Sequence, residues 1–447
     1  MFSSPQASPV QSIFVALILT MLGLLVVAMI KSPDRKYLTR LFAFAFFIRV
    51  IFVYIIYYYL IGVGGDGFAF TDDRTYDLNA RIIAKALNKG QDGYDIFSWH
   101  QNPGYFYFNG WLYSLLGTDT FSSRVVNAFL SSLTVIFIFE IARNLFELKV
   151  AKIAGLLAAF MPSMIYWSAL QFKDTSLIFV MVFASYLLVV KRNQRVTITS
   201  IVLMIGALAL MWTLRKDYAL PYIGIVFIWL ILRYTGLEKW FNNLRKKGLS
   251  VVVGGFMLII GGGVIVGLSN SSAGQIFLAK YDKVTGNNAE FVEKASAAQI
   301  GFSRHLRINS VSDMYKLPFA VSFTTILPLP SFSNLIDGKR AGLALYSMAN
   351  LAFVMLLPFV ALGFVLTKTV SLGDSIILRW FPLTVLVGVS IVFMGVLRYK
   401  EQLMPFFLIW AALALSEKSK YRNKLGMIYL IGFFSVITAV IVASTTR

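Results

Sequence analysis

The chain has 447 residues, 58% of them hydrophobic and only 14% charged, which is more apolar surface than a soluble domain can enclose. It carries 41 Lys and Arg against 21 Asp and Glu, for a net charge of +20. Cysteine is absent, which excludes disulfides, thiolate nucleophiles and thiolate metal sites; with His100 and His305 as the whole imidazole supply, a histidine-rich zinc site is disfavoured too.

A membrane-crossing helix needs roughly 20 apolar residues. On that measure about twelve spans are expected, at 11–30, 41–63, 121–142, 150–168, 174–190, 196–214, 218–234, 249–268, 343–367, 379–397, 402–416 and 425–443. The first has no cationic residue before it and is followed by KSPDRK in place of a small-residue cleavage site, so it reads as a retained helix with its N-terminus outside. The second ends in YIIYYYL, an aromatic belt of the kind that sits at a lipid–water boundary. Asp72 and Asp73 follow at the rim of the bilayer, and they open FTDDRTYDLNARIIAKALNKG, a polar stretch with a helical apolar stripe that fits a helix lying beside the membrane.

Short cytoplasmic loops retain Lys and Arg. Assigning 31–40, 143–152, 191–195, 233–247, 368–379 and 417–424 to the cytoplasm collects about half of the 41 basic residues and few of the acids, and it leaves Asp72 and Asp73 outside. The positive charge then reflects topology and attraction to anionic lipid. No basic stripe with stacking aromatics points to nucleic acid. Two long stretches, 64–120 and 269–342, fall on the outer side and form a cap there; within the second, 317–329 is too short to cross and is bounded by prolines, which suits an interfacial or re-entrant segment.

Several basic residues break this orientation rule: Lys173 at the outer start of one span, Arg215 and Lys216 at the outer end of another, and Arg398 and Lys400 in MGVLRYKEQLMP. Cations at such depth mark anionic sites, and Arg and Lys suit phosphate as a fork and a point charge respectively. The competing reading is snorkelling to headgroups or pairing with a neighbour, as Lys173 with Asp174. Asp174 precedes Thr175 and Ser176 at a helix start, where capping competes with catalysis or metal binding. Arg49, inside the second span, reads as snorkelling or as an interhelix bond. His100, in SWHQNPGYFYF, is a candidate substrate contact against the alternative of a satisfied loop histidine. The glycines between 254 and 267 follow no strand and so form no phosphate loop; they suit close helix approach.

A span followed by an outer acidic pair and a tyrosine three residues on, Asp72-Asp73-Arg74-Thr75-Tyr76, resembles the first outer loop of the GT-C polyprenyl-phosphate-sugar glycosyltransferases, which include the protein O-mannosyltransferases and the lipid A aminoarabinose transferase. HQNPGYFYFNGWLYSLLG, RVVNAFLSSLTVIFIFEIARNLF, MPSMIYWSALQFKDTSLIFVMVFASYLLV and RYKEQLMPFFLIWAALAL are also similar to stretches of that family. The resemblance implies an all-α polytopic membrane protein, a GT-C-like bundle with outer juxtamembrane helices. Its expected parts are an extra N-terminal helix and loop at 1–40, a catalytic module at 41–268 containing the outer loop 64–120, a large outer loop at 269–342, and C-terminal spans at 343–447.

The implied reaction is transfer of a sugar from a polyprenyl phosphate to a glycan, lipid or protein acceptor on the extracytoplasmic side of the cell membrane, with inversion. Asp72 matches the family's catalytic position and is expected as the general base, with Asp73 orienting it or helping to bind metal. Lys173, Arg215, Lys216 and Arg398 are expected on the donor phosphate, and Tyr76, His100, Asp174 and Tyr399 on the substrates. Asp72, Asp73 and Asp174 offer oxygen ligands for Mg or Mn, but no metal site is assigned. Two other classes share these features: a polysaccharide polymerase or oligosaccharide ligase, which would lean on Arg304 and Arg307, and a flippase for an anionic lipid, against which stands the lack of an internal repeat of spans.

Overall fold

The computed structural model describes residues 8–92, 102–190, 197–235, 311–328, 330, 333–338, 340–367, 370, 376–392 and 397–417. Every regular element among the described residues is helical. The α-helices are α1 (Pro9–Met29), α2 (Arg35–Gly62), α3 (Thr71–Leu87), α4 (Gly104–Leu116), α5 (Thr120–Leu145), α6 (Leu148–Phe160), α7 (Pro162–Ser168), α8 (Lys173–Val190), α9 (Ile198–Leu214), α10 (Lys216–Thr235), α11 (Leu317–Ile326), α12 (Ala341–Leu366), α13 (Phe381–Val392) and α14 (Met404–Ser416).

Among the described residues five helices are long and apolar enough to cross a membrane: α1, α2, α5, α8 and α12; a sixth arises if α6 and α7, bent by 51° at their junction, are one span. The helices at the expected spans 196–214, 379–397 and 402–416 are shorter. At a rise of about 1.5 Å per residue, α9 and α14 fall below the ~30 Å of a hydrocarbon core. The expected spans at 249–268 and 425–443 lie outside the described residues. The stretch expected beside the membrane is helix α3, and the proline-bounded segment is the ten-residue α11.

The chain forms two compact units. The first comprises Met1–Lys216, Leu329–Leu366 and Met404–Arg447. Its centre is α5, buried on nearly every face and packed against α1, α2, α6 and α8. Around it, α6 meets α14, α14 meets α12, and α3 pairs with α4. The close crossing of α12 on α14 needs Gly363, where a Cβ would collide with the Trp410 carbonyl. The start of α1 is tied to the α4–α5 connection: Ser8 N donates to Asp119 Oδ1 at 2.8 Å, Gln11 Nε2 to the Leu116 carbonyl, and the Ser12 hydroxyl lies 2.8 Å from that of Tyr54. The beginning of α1 therefore shares an end of the bundle with the close of α2 and the beginning of α5. At the opposite end Arg143 pairs with Asp34 and Lys149 donates to the Ser416 carbonyl.

The second unit comprises Asp217–Pro328 and Thr367–Leu403. Its described part packs α11 on α13, sets Tyr222 edge-on to Phe381 at 5.0 Å, and buries Leu232 against Ile376 of a short π-helix, Ile376–Trp380.

The bend between α6 and α7 has a local cause. Pro162 has no N–H, so the Ala158 carbonyl four residues earlier loses its helical donor. Arg49 supplies one instead: Nη2 donates to Ala158 O at 2.9 Å, Nη1 to Ala159 O and Ala45 O at 3.1 Å, and Nε to the Ser131 hydroxyl at 3.0 Å. The side chain is fully buried, so the interhelix bond is the reading that holds and snorkelling is not. Replacing Arg49 with Met leaves two carbonyls unsatisfied, and since a hydrogen bond to a charged group is worth about 1.5–3 kcal/mol, the variant is expected to lose about 2–4 kcal/mol of stability. Thermal unfolding of the purified protein in detergent reads this directly, and an unchanged midpoint would remove Arg49 from the account of the bend.

Candidate functional site

The end of the first unit that carries α3 gathers most of the charged residues singled out in the sequence. The chain leaves α2, turns through Gly64–Phe70 and begins α3 at Thr71. Acidic residues suit a helix start, where unpaired N–H groups and the helix dipole favour negative charge. Asp73 uses that position fully. Its carboxylate accepts from the backbone N–H of Ala69 and of Phe70, both at 3.0 Å, and of Arg74 at 3.1 Å. It is wholly buried, whereas Asp72, one residue earlier, is half-buried. The two carboxylates therefore differ in surroundings: Asp73 is locked into the turn and Asp72 stands at its surface.

Burial pushes the Asp73 carboxyl up to about 6, opposed by Arg124 and by the three backbone donors. Arg124 comes from the second turn of α5. Its Nη2 lies 4.0 Å from Asp73 and donates to the Gly67 carbonyl at 2.8 Å, and its guanidinium lies over the rings of Tyr57 and Phe68 at 5.4 and 5.3 Å. Gly67 adopts φ +82°, which presents its carbonyl to the arginine; a Cβ there would strike the Tyr57 ring.

One turn along α3, Asp77 is buried and accepts from Arg81 Nε at 2.7 Å, the Tyr113 hydroxyl at 2.5 Å and Thr120 Oγ1 at 3.0 Å. It straps α3 to α4 and to the first residue of α5. Between these acids and α8 stands Tyr105, whose hydroxyl receives Asn127 Nδ2 at 2.9 Å; the same Nδ2 donates to the Leu170 carbonyl at 2.8 Å, in the turn before α8. Burial, and beyond it the carboxylates of Asp174 and Asp73, hold the Tyr105 hydroxyl above the usual phenol range. Tyr76 is buried among rings, 4.9 Å from Tyr105, 5.3 Å from Phe106 and 6.1 Å from Phe172, so it packs the joint between α3 and its neighbours. Phe70 stacks on Trp167 at 5.6 Å beside the same turn.

Lys173 and Asp174 open α8, and both are buried. Asp174 pairs with the buried Arg215 at 3.4 Å, so it has a partner from the next turn in space. Lys216 is exposed and lies over the Trp212 ring at 5.6 Å. Lys173, Arg215 and Lys216 thus share one end of the first unit with Asp72 and Asp73. Arg398 and Tyr399 belong to the second unit, in a 3-10 turn, Leu397–Leu403, where both are half-buried and the Tyr399 carbonyl lies 2.9 Å from the Tyr218 hydroxyl. Beside them Lys400 donates to the Thr325 carbonyl at 2.9 Å and to that of Leu327, closing the end of α11, and burial pushes its ammonium down to about 7 against the opposing charge of Glu401. His100, Arg304 and Arg307 lie outside the described residues. Among the described residues no group of three or more His, Cys, Asp or Glu side chains is arranged to hold a metal ion, and Asp73 and Asp174 are each turned to an arginine.

Behind the aromatic wall an apolar groove of about 440 Å³ runs between α2, the α6–α7 bend and α12, lined by Ile48, Phe52, Ile55, Tyr59, Phe160 and Tyr166 among others. Tyr166 is fixed by donating to the Gly342 carbonyl at 2.6 Å, and it adjoins Trp167, which stacks on Phe70. A chain of rings, Tyr166 to Trp167 to Phe70, thus links the groove wall to the turn that holds Asp73.

Sequence reasoning passed over Arg124, Asp77, Tyr105 and Asn127. The signal for Arg124 was present, since a charge a few residues inside an apolar span is a site by default. Asp77 carried a weaker one, the i,i+4 spacing to both Asp73 and Arg81. Tyr105 and Asn127 carried none, because their partners are brought together only by the packing of α4, α5 and the α7–α8 turn.

A family model described as dolichyl-phosphate-mannose-protein mannosyltransferase matches residues 100–261, about a third of the chain, taking in α4 to α10. Curated proteins give no match to the chain. The matched stretch contains Arg124, Lys173, Asp174 and Arg215, and it supports a membrane glycosyltransferase of GT-C type that draws on lipid-linked sugar.

Proposed function

We propose that this chain transfers a sugar from a polyprenyl-phosphate donor to an acceptor on the extracytoplasmic face of the membrane, with inversion at the anomeric carbon. The observation that carries the reading is the meeting, at one end of one helical unit, of an acidic pair divided into a buried and a half-buried carboxylate with the cations Lys173, Arg215 and Lys216. The family match over residues 100–261 supports the same class.

The chemistry asks little more than this. A phosphate already departs as an anion, so the leaving group needs cations to receive its charge and no general acid; the acceptor needs a base. Asp72 takes the acceptor's proton as its oxygen attacks the anomeric carbon, and the carbon–oxygen bond to phosphate breaks on the opposite face. Lys173, Arg215 and Lys216 hold the phosphate; the substrate roles given to Arg398, Tyr399 and His100 rest on the family resemblance. Asp174 sets Arg215, and Tyr76 sets α3 against its neighbours. The groove between α2, α7 and α12 takes the first isoprene units, with its apolar wall matched to the tail and its upper end near the charged turn.

Proteoliposomes supplied with radiolabelled polyprenyl-phosphate sugars and acceptor-bearing membrane extract test the reading. Asp72→Asn is expected to abolish donor consumption while the donor still binds; retained turnover would sink the assignment of the base. Lys216→Ala, at an exposed position, is expected to weaken donor binding about ten- to a hundredfold, the worth of one charge-assisted hydrogen bond, with little change in kcat. Filling the groove with Ala349→Phe is expected to raise KM for long-chain donors more than for donors with one or two isoprene units. Equal effects on both chain lengths would place the tail elsewhere.

A further inference from the structure

Among the described residues of the first unit two arginines are completely buried, and they are used in opposite ways. Arg49 spends its donors, making four hydrogen bonds from all three nitrogens. Arg124 makes one, to Gly67, and its Nε and Nη1 are buried without a hydrogen-bond partner among the described residues. An arginine retained for its hydrogen bonds would not leave two donors unused, since each buried unmet donor costs on the order of 1–3 kcal/mol. What Arg124 does have is position. Two ring faces and one carbonyl hold its charge 4.0 Å from a carboxylate that no water reaches.

We propose that Arg124 is a positioning residue for the transfer reaction: through Asp73 it fixes the first turn of α3, and with it the carboxylate of Asp72. The inference rests on the reading of Asp72 as the base. The mechanical link is short. Asp73 receives the N–H groups of Ala69, Phe70 and Arg74, which bracket Asp72 on both sides. An ionised carboxylate accepts on both oxygens; once protonated, one oxygen becomes a donor and part of the clasp is lost. Arg124 opposes that protonation from α5. Among the described residues, the other charged or titratable groups facing Asp73 are Tyr105 from α4, Tyr166 from α7, and on its own helix Arg74, which pairs with Asp66, and Asp77, which is taken up by Arg81. Arg124 is thus the cation set against Asp73 from across the bundle.

Because burial already lifts Asp73 to about 6, the sign of the effect is fixed. Removing the neighbouring positive charge raises its pKa further, so the clasp opens at higher pH. Wild-type kcat is expected to fall on the acid side with a midpoint near 6. Arg124→Gln is expected to move that midpoint upward by about one unit or more, with donor KM within about twofold of wild type. Arg124→Lys, which keeps the charge and loses the fork, is expected to bring the midpoint back toward wild type. Asp73→Asn retains an acceptor for the turn and removes the titration, so the acid limb near 6 should disappear from a lowered kcat.

The experiment measures kcat and KM against pH for these variants in proteoliposomes, with thermal midpoints recorded alongside. An acid limb unmoved in Arg124→Gln overturns the proposal, as does failure of lysine to restore it. Should Arg124→Gln not fold, Asp73→Asn decides alone: persistence of the wild-type acid limb overturns the proposal and its loss supports it. If Asp72→Asn is active, the functional reading itself has failed; if Asp72→Asn is dead while the Arg124 and Asp73 variants keep wild-type profiles, only the positioning role has.

Discussion

A carboxylate removed from water has to be held by something, and at Asp73 the holding is done by three backbone N–H groups and one arginine. Much of the surrounding architecture follows from that requirement. The donors are available only because a helix begins there, and the helix begins there because Gly67 and its neighbours turn the chain sharply off the end of α2. The arginine is available only because α5 runs through the middle of the unit with its second turn level with α3. Bringing a charge so deep is tolerable because Tyr57 and Phe68 offer ring faces in place of solvent. Loss of any one of these leaves the others with an uncompensated charge.

The same economy governs the cations. Arg215 is buried at the junction of α9 and α10 and is held by Asp174 from the start of α8. A guanidinium held by a buried carboxylate does not have to be ordered when a ligand arrives. Lys216 is exposed beside it, over the Trp212 ring. On the function proposed above, a phosphate approaching that corner would meet one buried and one exposed positive group.

Much of this was legible in the sequence, though unevenly. The membrane class, the helical character of α3 and the short α11 came from periodicity and span length. These are one-dimensional properties that a chain carries whatever its tertiary contacts. The division of labour between Asp72 and Asp73 was not legible, because adjacent residues in a helix point about 100° apart and only the packing of α5 decides which of them turns inward. The pairing of Asp174 with Arg215 was hidden for the same reason, with Lys173 next to it in sequence and the arginine next to it in space. Arg49 shows the converse case: its depth suggested an interhelix bond, and the missing N–H of Pro162 explains which helix it reaches.

The enclosure of α5 has a consequence for the protein in its native surroundings. Helices that face acyl chains must adapt to the thickness of the bilayer by tilting or by distorting the lipid around them, and α1, most of whose surface is open, is of that kind. α5 is jacketed by other helices and meets almost no lipid. Because α3 is clasped to the first turns of α5, the acidic pair is referenced to a helix enclosed by protein rather than to one open on most of its surface.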